Sequence, residues 1–175
     1  MIPVSNARNQ PESPRALAQA GPKASKKVAA KAVATSELPE GGGDARAPAR
    51  ADHARERAIA AARVADEIRG TDVHVLDLRG LTDVFDYFVV ATGASRRQLH
   101  AMADEIELMM KKEMHDTRRG IEGYEEGRWI VLDYGDVVVH LFEAEARDYW
   151  DLEQLWSGFK PVPLPASTSA PGEGR

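Results

Sequence analysis

RWIVLDYGDVVVHLFEAEARDYWDLEQLW, residues Arg128 to Trp156, is the densest apolar stretch of the chain. It reads as two apolar strands joined by a tight turn, then a short acidic and aromatic helical segment. Tyr134-Gly135 is the expected two-residue loop, with Gly135 supplying the positive φ such turns need. In that register Asp133 faces Asp136, Leu132 faces Val137, Val131 faces Val138, Ile130 faces Val139 and Trp129 faces His140. Side chains alternate between the two faces of a strand. Ile130, Leu132, Val137, Val139 and Leu141 therefore form a core face. Trp129, Val131, Asp133, Asp136, Val138 and His140 form a mixed one. Two interpretations of the mixed face stand side by side. The carboxylates are solvated at an open turn, or they belong to an aromatic and acidic patch for a basic partner.

Working outward, Ser95 opens the clearest helix of the chain, predicted from Ser95 to about Met114. Ser95 and Gln98 make a capping box. Leu99, Met102, Ala103, Ile106 and Met109 or Met110 follow at helical spacing. Ahead of it, Phe85 to Thr92 reads as a central strand covered on both faces, because Phe88 to Ala91 is continuously apolar. Val73 to Leu78 is a further short strand. Asp52 to Arg69 reads as a helix capped by Asp52 and ended by Gly70, with Ala58, Ile59, Ala62, Ala65 and Ile68 as its apolar stripe. Arg119 to Glu122 is a candidate edge strand. Ala146, Tyr149, Leu152, Leu155 and Trp156 fit one or two helical turns. The fold class is α/β: a small mixed β-sheet with helices packed on it.

Residues 1–50 are rich in Ala, Pro, Gly, Ser and Lys and hold no aromatic residue. Such a segment buries too little surface to offset its ordering entropy, so a disordered basic extension is expected there. A basic RNA-touching arm at Lys23 to Lys31 and an organelle transit peptide are its competing uses. Residues 51–160 make the folded domain, and 161–175, with the run PVPLP, are expected to be a disordered tail. The 8 basic and 4 acidic residues of the first fifty give net +4, and the 15 and 24 of residues 51–175 give net −9. An acidic domain repels the phosphate backbone and attracts basic proteins. No specific nucleic-acid binding by the core is expected. No apolar run reaches the ~20 residues of a membrane span, and the N-terminus lacks the apolar region of a signal peptide. With no cysteine, disulfides and thiolate metal sites are excluded.

His53, His74, His100, His115 and His140 show no metal-ligand spacing, and there is no P-loop, GxGxxG or GxSxG. No cofactor, metal or catalytic residue is assigned. Gly93-Ala94-Ser95 opening a helix on a mixed sheet is similar to nucleotidyltransferases, which bind phosphates there. Their chemistry needs carboxylates converging on metal ions. Beside this turn the strand after the helix offers only Asp133, with Val131 two residues away.

Two stretches, Val75 to Glu107 and Trp129 to Trp156, resemble the ribosomal silencing factor family, also called Iojap-related. The residues are Asp86-Tyr87-Phe88-Val89, then Gly93, Ser95, Arg97 and Gln98. Trp129, Asp133, Gly135, Asp136, Val137, Val139 and His140 follow, and then Glu145, Arg147, Trp150, Leu152, Glu153, Leu155 and Trp156. The likeness covers roughly residues 52–160 and leaves the first fifty outside. It implies a nucleotidyltransferase-like fold without the catalytic groups. It also implies binding to the large ribosomal subunit through the ribosomal protein numbered fourteen. Small-subunit joining would be blocked and translation lowered when nutrients are scarce. Separately, the Ala-, Arg- and Gly-rich composition with no clear presequence favours the bacterial cytoplasm over an organelle. The expected contacts are Trp129, Asp133, Asp136, His140, Tyr149, Asp151 and Glu153, with Trp150 and Trp156 packed in the core. Exposed apolar residues of the hairpin would equally serve a homodimer. A nucleotidyltransferase-like enzyme and an RNA-binding module built on the N-terminal arm are the alternatives.

Overall fold

The computed structural model describes residues 48–165. The expected basic extension up to residue 47 and the tail beyond 165 lie outside them. Helix α1 spans Pro48–Glu67, strand β1 Thr71–Asp77, β2 Tyr87–Gly93, and helix α2 Arg96–Lys112. Strand β3 spans Gly120–Glu122, β4 Trp129–Asp133, β5 Val137–Glu143, helix α3 Ala144–Trp150, helix α4 Leu152–Leu155, and β6 Lys160–Pro161. The six strands form one sheet in the order β3-β4-β5-β2-β1-β6. Only β2 and β5 run parallel; every other pair is antiparallel. This is the mixed α/β architecture expected.

Helix α1 starts four residues ahead of the expected cap at Asp52. Proline is tolerated at the first helical position, because its fixed φ suits the helix and its missing N–H was unpaired anyway. The helix stops at Glu67, and Arg69, not Gly70, takes the left-handed conformation at φ 63°. The Gly70 N–H then donates to the Ala65 carbonyl at 2.8 Å. Helix α2 is capped as read: the Ser95 hydroxyl accepts from the Gln98 N–H at 3.3 Å. The Gln98 side chain returns its bond one residue earlier than a capping box would. Its oxygen accepts from the Ala94 N–H at 2.8 Å, and its nitrogen donates to the Ile68 and Arg69 carbonyls at 2.9 and 2.8 Å. One side chain thus satisfies groups at the start of α2 and at the end of α1.

The hairpin register differs from expectation. Val131 pairs with His140, Leu132 with Val139, Asp133 with Val138, and Trp129 with Phe142. The Tyr134 N–H donates to the Val137 carbonyl at 2.9 Å, so the two-residue loop is Gly135-Asp136. Gly135, at φ 86°, occupies the first loop position, where glycine tolerates positive φ. Tyr134, expected in the loop, is instead buried in the core beside Leu132 and Val137. Moving the loop by one residue moves the pairing by two, so each side chain keeps its face.

Both faces of the sheet are covered. Beneath α1 and α2 lie Val89, Ile130, Leu132, Val137, Val139 and Leu141, packed with Leu99, Met102, Ile106 and Met110 of α2. Five alanines of α1, at 54, 58, 61, 62 and 65, are fully buried there, where small side chains let the helix approach closely. The opposite face, expected to be mixed, is a second core: Leu76, Phe85, Phe88, Val131, Trp129, Val138 and Phe142 under Ala146, Leu152 and Trp156. The α3–α4 segment is its cover. Residues 160–164 are also part of the fold, beyond the boundary expected at 160. Leu76 pairs with Pro161 and Asp77 with Lys160, and Val162 and Leu164 pack on the first core. Proline is compatible with such an edge strand because the unpaired side needs no donor.

Candidate protein-binding surface

The seven expected contact residues do not form one patch. Trp129 is buried, stacked on the Phe142 ring at 4.6 Å and tilted against Trp150 at 5.2 Å. His140 is buried beside it. The Trp129 indole N–H donates to His140 Nδ1 at 3.3 Å, which leaves the proton of the neutral ring on Nε2. Burial drives the His140 pKa down to about 3. These two residues are core, and they correct the expectation of aromatic anchors on an open hairpin face. Their cover is the α3–α4 segment.

Asp136 is also internal. Its backbone carbonyl accepts from the Asp86 and Tyr87 N–H groups at 2.8 and 3.0 Å. Its carboxylate lies 3.7 Å from the buried Arg57 guanidinium, which also pairs with Asp116. A carboxylate this enclosed anchors α1 to the hairpin turn and is no solvent-facing contact. Asp133 is half-buried at the hairpin tip, where its side chain accepts from the Gly135 N–H at 2.7 Å. Asp133 therefore shapes the turn.

The remaining three residues sit together on α3–α4. Tyr149 is exposed at the end of α3, edge-on to Trp150 at 5.4 Å. Asp151 is exposed, left-handed at φ 40°, and its side chain accepts from the Gln154 N–H at 3.3 Å, capping α4. Glu153 is half-buried and pairs with Arg147. Arg147 also donates to the Asp72 carbonyl at 2.6 Å, to the Thr92 hydroxyl at 2.7 Å and to His74 Nδ1 at 3.2 Å. One guanidinium thus fastens the α3–α4 segment to the ends of β1 and β2. Trp156 is in the core as expected, and Trp150 is half-buried against the same cluster.

At the Gly93-Ala94-Ser95 turn, Ser95 is committed to capping α2, and Arg96 donates to the Glu125 carbonyl. Among the described residues no group of three His, Asp or Glu side chains converges as a metal site would require. No described helix is long and apolar enough to cross a membrane.

A mixed sheet filled on both faces by side chains, with an acidic and aromatic terminal cap, defines a small α/β domain. The family pattern described as "Ribosomal silencing factor during starvation" matches residues 51–173, and the chain belongs to that ribosomal silencing factor family. It is 44% identical over 96 residues to Ribosomal silencing factor RsfS of Chromobacterium violaceum, across 55% of this chain and 78% of that protein. With Ribosomal silencing factor RsfS of Bacillus subtilis it shares 40% identity over 96 residues, 55% of this chain and 80% of the other. Its fold is similar to a crystal structure of a Chromobacterium violaceum protein. That comparison gives a TM-score of 0.55 and 38% identity, covering 67% of this chain and 95% of that one.

Proposed function

We propose that this chain represses translation by binding the large ribosomal subunit and sterically preventing the small subunit from joining it. The contact runs through the ribosomal protein numbered fourteen, and the repression serves nutrient limitation in the bacterial cytoplasm. The observation that carries this reading is membership of the ribosomal silencing factor family over residues 51–173. The electrostatics support it. Residues 51–175 hold 24 acidic against 15 basic residues, so the domain is drawn to a basic ribosomal protein and repelled by exposed RNA phosphate. Occupying a docking face requires no catalytic group.

Of the seven expected contacts, Tyr149 and Asp151 remain the proposed solvent-facing set, with half-buried Glu153 beside them and Asp133 at the hairpin tip. Co-sedimentation with separated subunits tests the reading. The chain pellets with the large subunit and not with the small one. Failure to pellet with either at micromolar protein and low salt contradicts it.

A further inference from the structure

One edge of the six-stranded sheet is closed by the stretch Lys160-Pro161-Val162-Pro163-Leu164-Pro165. Strand β6 lies antiparallel on β1, with Leu76 opposite Pro161 and Asp77 opposite Lys160. The Val162 N–H donates to the Val75 carbonyl at 2.9 Å. Main-chain groups of an antiparallel strand point alternately toward the partner and away from it. Val162 points toward β1, so Pro161 and Pro163 on either side of it turn their main-chain groups outward. Pro165 follows in the same alternation. Side chains alternate with the same period. Val162 and Leu164 are half-buried against the first core, and the three prolines are exposed.

The positions that would donate N–H groups to a further strand are therefore the three that have none. Proline lacks the donor a ladder needs. Lys160 adds an exposed charge at the start of the strand, which also disfavours pairing. The rest of the β1 edge is blunted in a different way. From Thr71 to His74 β1 advances three residues while β2 advances two, from Thr92 to Val90, and Asp72 is left-handed at φ 48°. Such a bulge interrupts the ladder and twists the edge away from a newcomer.

We infer that Lys160 to Pro165 is an edge guard. It occupies the strand-accepting edge of β1 and presents an outer edge that accepts no strand, so the sheet does not extend into a second copy of this chain. A second copy is the occupant it excludes, because two identical edges can pair antiparallel about a twofold axis, each supplying what the other accepts. The apolar inner side chains hold the guard down, and the prolines end the ladder.

The experiment follows the mass of the full chain by light scattering against concentration, together with amide hydrogen exchange. Pro161→Thr, Pro163→Thr and Pro165→Thr combined leave Val162 and Leu164 in place and restore the outward donors. This variant is expected to reach at least about twice the wild-type mass, rising with concentration, at an unchanged thermal midpoint. The amides introduced at positions 161, 163 and 165 are expected to gain protection as the mass rises. The inference is overturned if the variant keeps the wild-type mass over the whole range. It is equally overturned if the mass rises while those three amides exchange freely, since association then runs through another surface. The wild type supplies a test that needs no variant: its Val162 amide is expected to be protected. Exchange there at the rate of an unstructured peptide means that the segment is not docked on β1, and overturns the guard.

Discussion

The β4–β5 hairpin and the α3–α4 segment that follows it are written in the same vocabulary of tryptophan, valine or leucine, and aspartate or glutamate. The structure uses them in opposite ways. The hairpin is interior on both faces: Trp129, Tyr134, Asp136 and His140 are all buried. The α3–α4 segment spends Ala146, Leu152 and Trp156 on covering that hairpin and leaves Tyr149, Asp148, Asp151 and Leu155 in solvent. Composition therefore does not mark a binding surface. What decides is which element arrives to cover which face, and the cover is the element that keeps an outer side.

The strongest way to break this contrast is Trp129→Ala. A buried tryptophan in an aromatic cluster costs about 3–5 kcal/mol when truncated, whereas a surface anchor would cost little stability. Urea unfolding measures the difference. A loss under 1 kcal/mol, as an order of magnitude for surface sites, would return Trp129 to the surface. Next comes Asp136→Asn, which leaves the Arg57 charge with one fewer partner in the interior. Removing a member of a buried ion pair costs on the order of 3 kcal/mol, so this variant should unfold at lower denaturant while Asp133→Asn shifts far less.

His140 sharpens the contrast through pH. Its pKa falls from 6.5 to about 3 in the folded chain because burial excludes the charged ring. The unfolded chain takes up the proton first as pH drops, so stability is full above 6.5 and declines below it. The loss amounts to about 2 kcal/mol by pH 5. His140→Phe should flatten that part of the stability–pH curve, and an unchanged slope would mean the ring is solvated. The smallest expected effect on stability is at Tyr149→Ala, within about 0.5 kcal/mol. The same variant should weaken large-subunit binding roughly tenfold, as an exposed aromatic anchor does. A large stability loss there would place Tyr149 with Trp129.

The elements were legible because each has a local cause. Leu99 to Met110 repeats at helical spacing, Ser95 and Gln98 mark a start, and Phe88 to Ala91 is apolar without interruption. The register was not, because Tyr134-Gly135 and Gly135-Asp136 both place the glycine in the loop. What separates them is the burial of Tyr134, a tertiary fact. The second core carries a signal of its own in the sequence. Val137-Val138-Val139 continues apolar without alternation, the same pattern that marked β2 as covered on both faces, and His140 and the nearby aspartates concealed it. Strand β6 was masked by its prolines. The reach of Arg147 across to Asp72 and Thr92 spans more than fifty residues of sequence, and Arg57 meets Asp136 over a longer separation still. No local pattern encodes such partners. Of the expected site, the exposed half was legible as acidic and aromatic, but which half would be exposed depended on the packing of the segment that covers the other.

The most direct measurement is a subunit-joining assay by light scattering. Large subunits are first incubated with increasing amounts of the chain, and small subunits are then added. A surface that occupies the joining face predicts that the joined fraction falls as the chain is titrated and levels off near one chain per large subunit. Joining that proceeds undiminished while the chain is bound to the large subunit would contradict it.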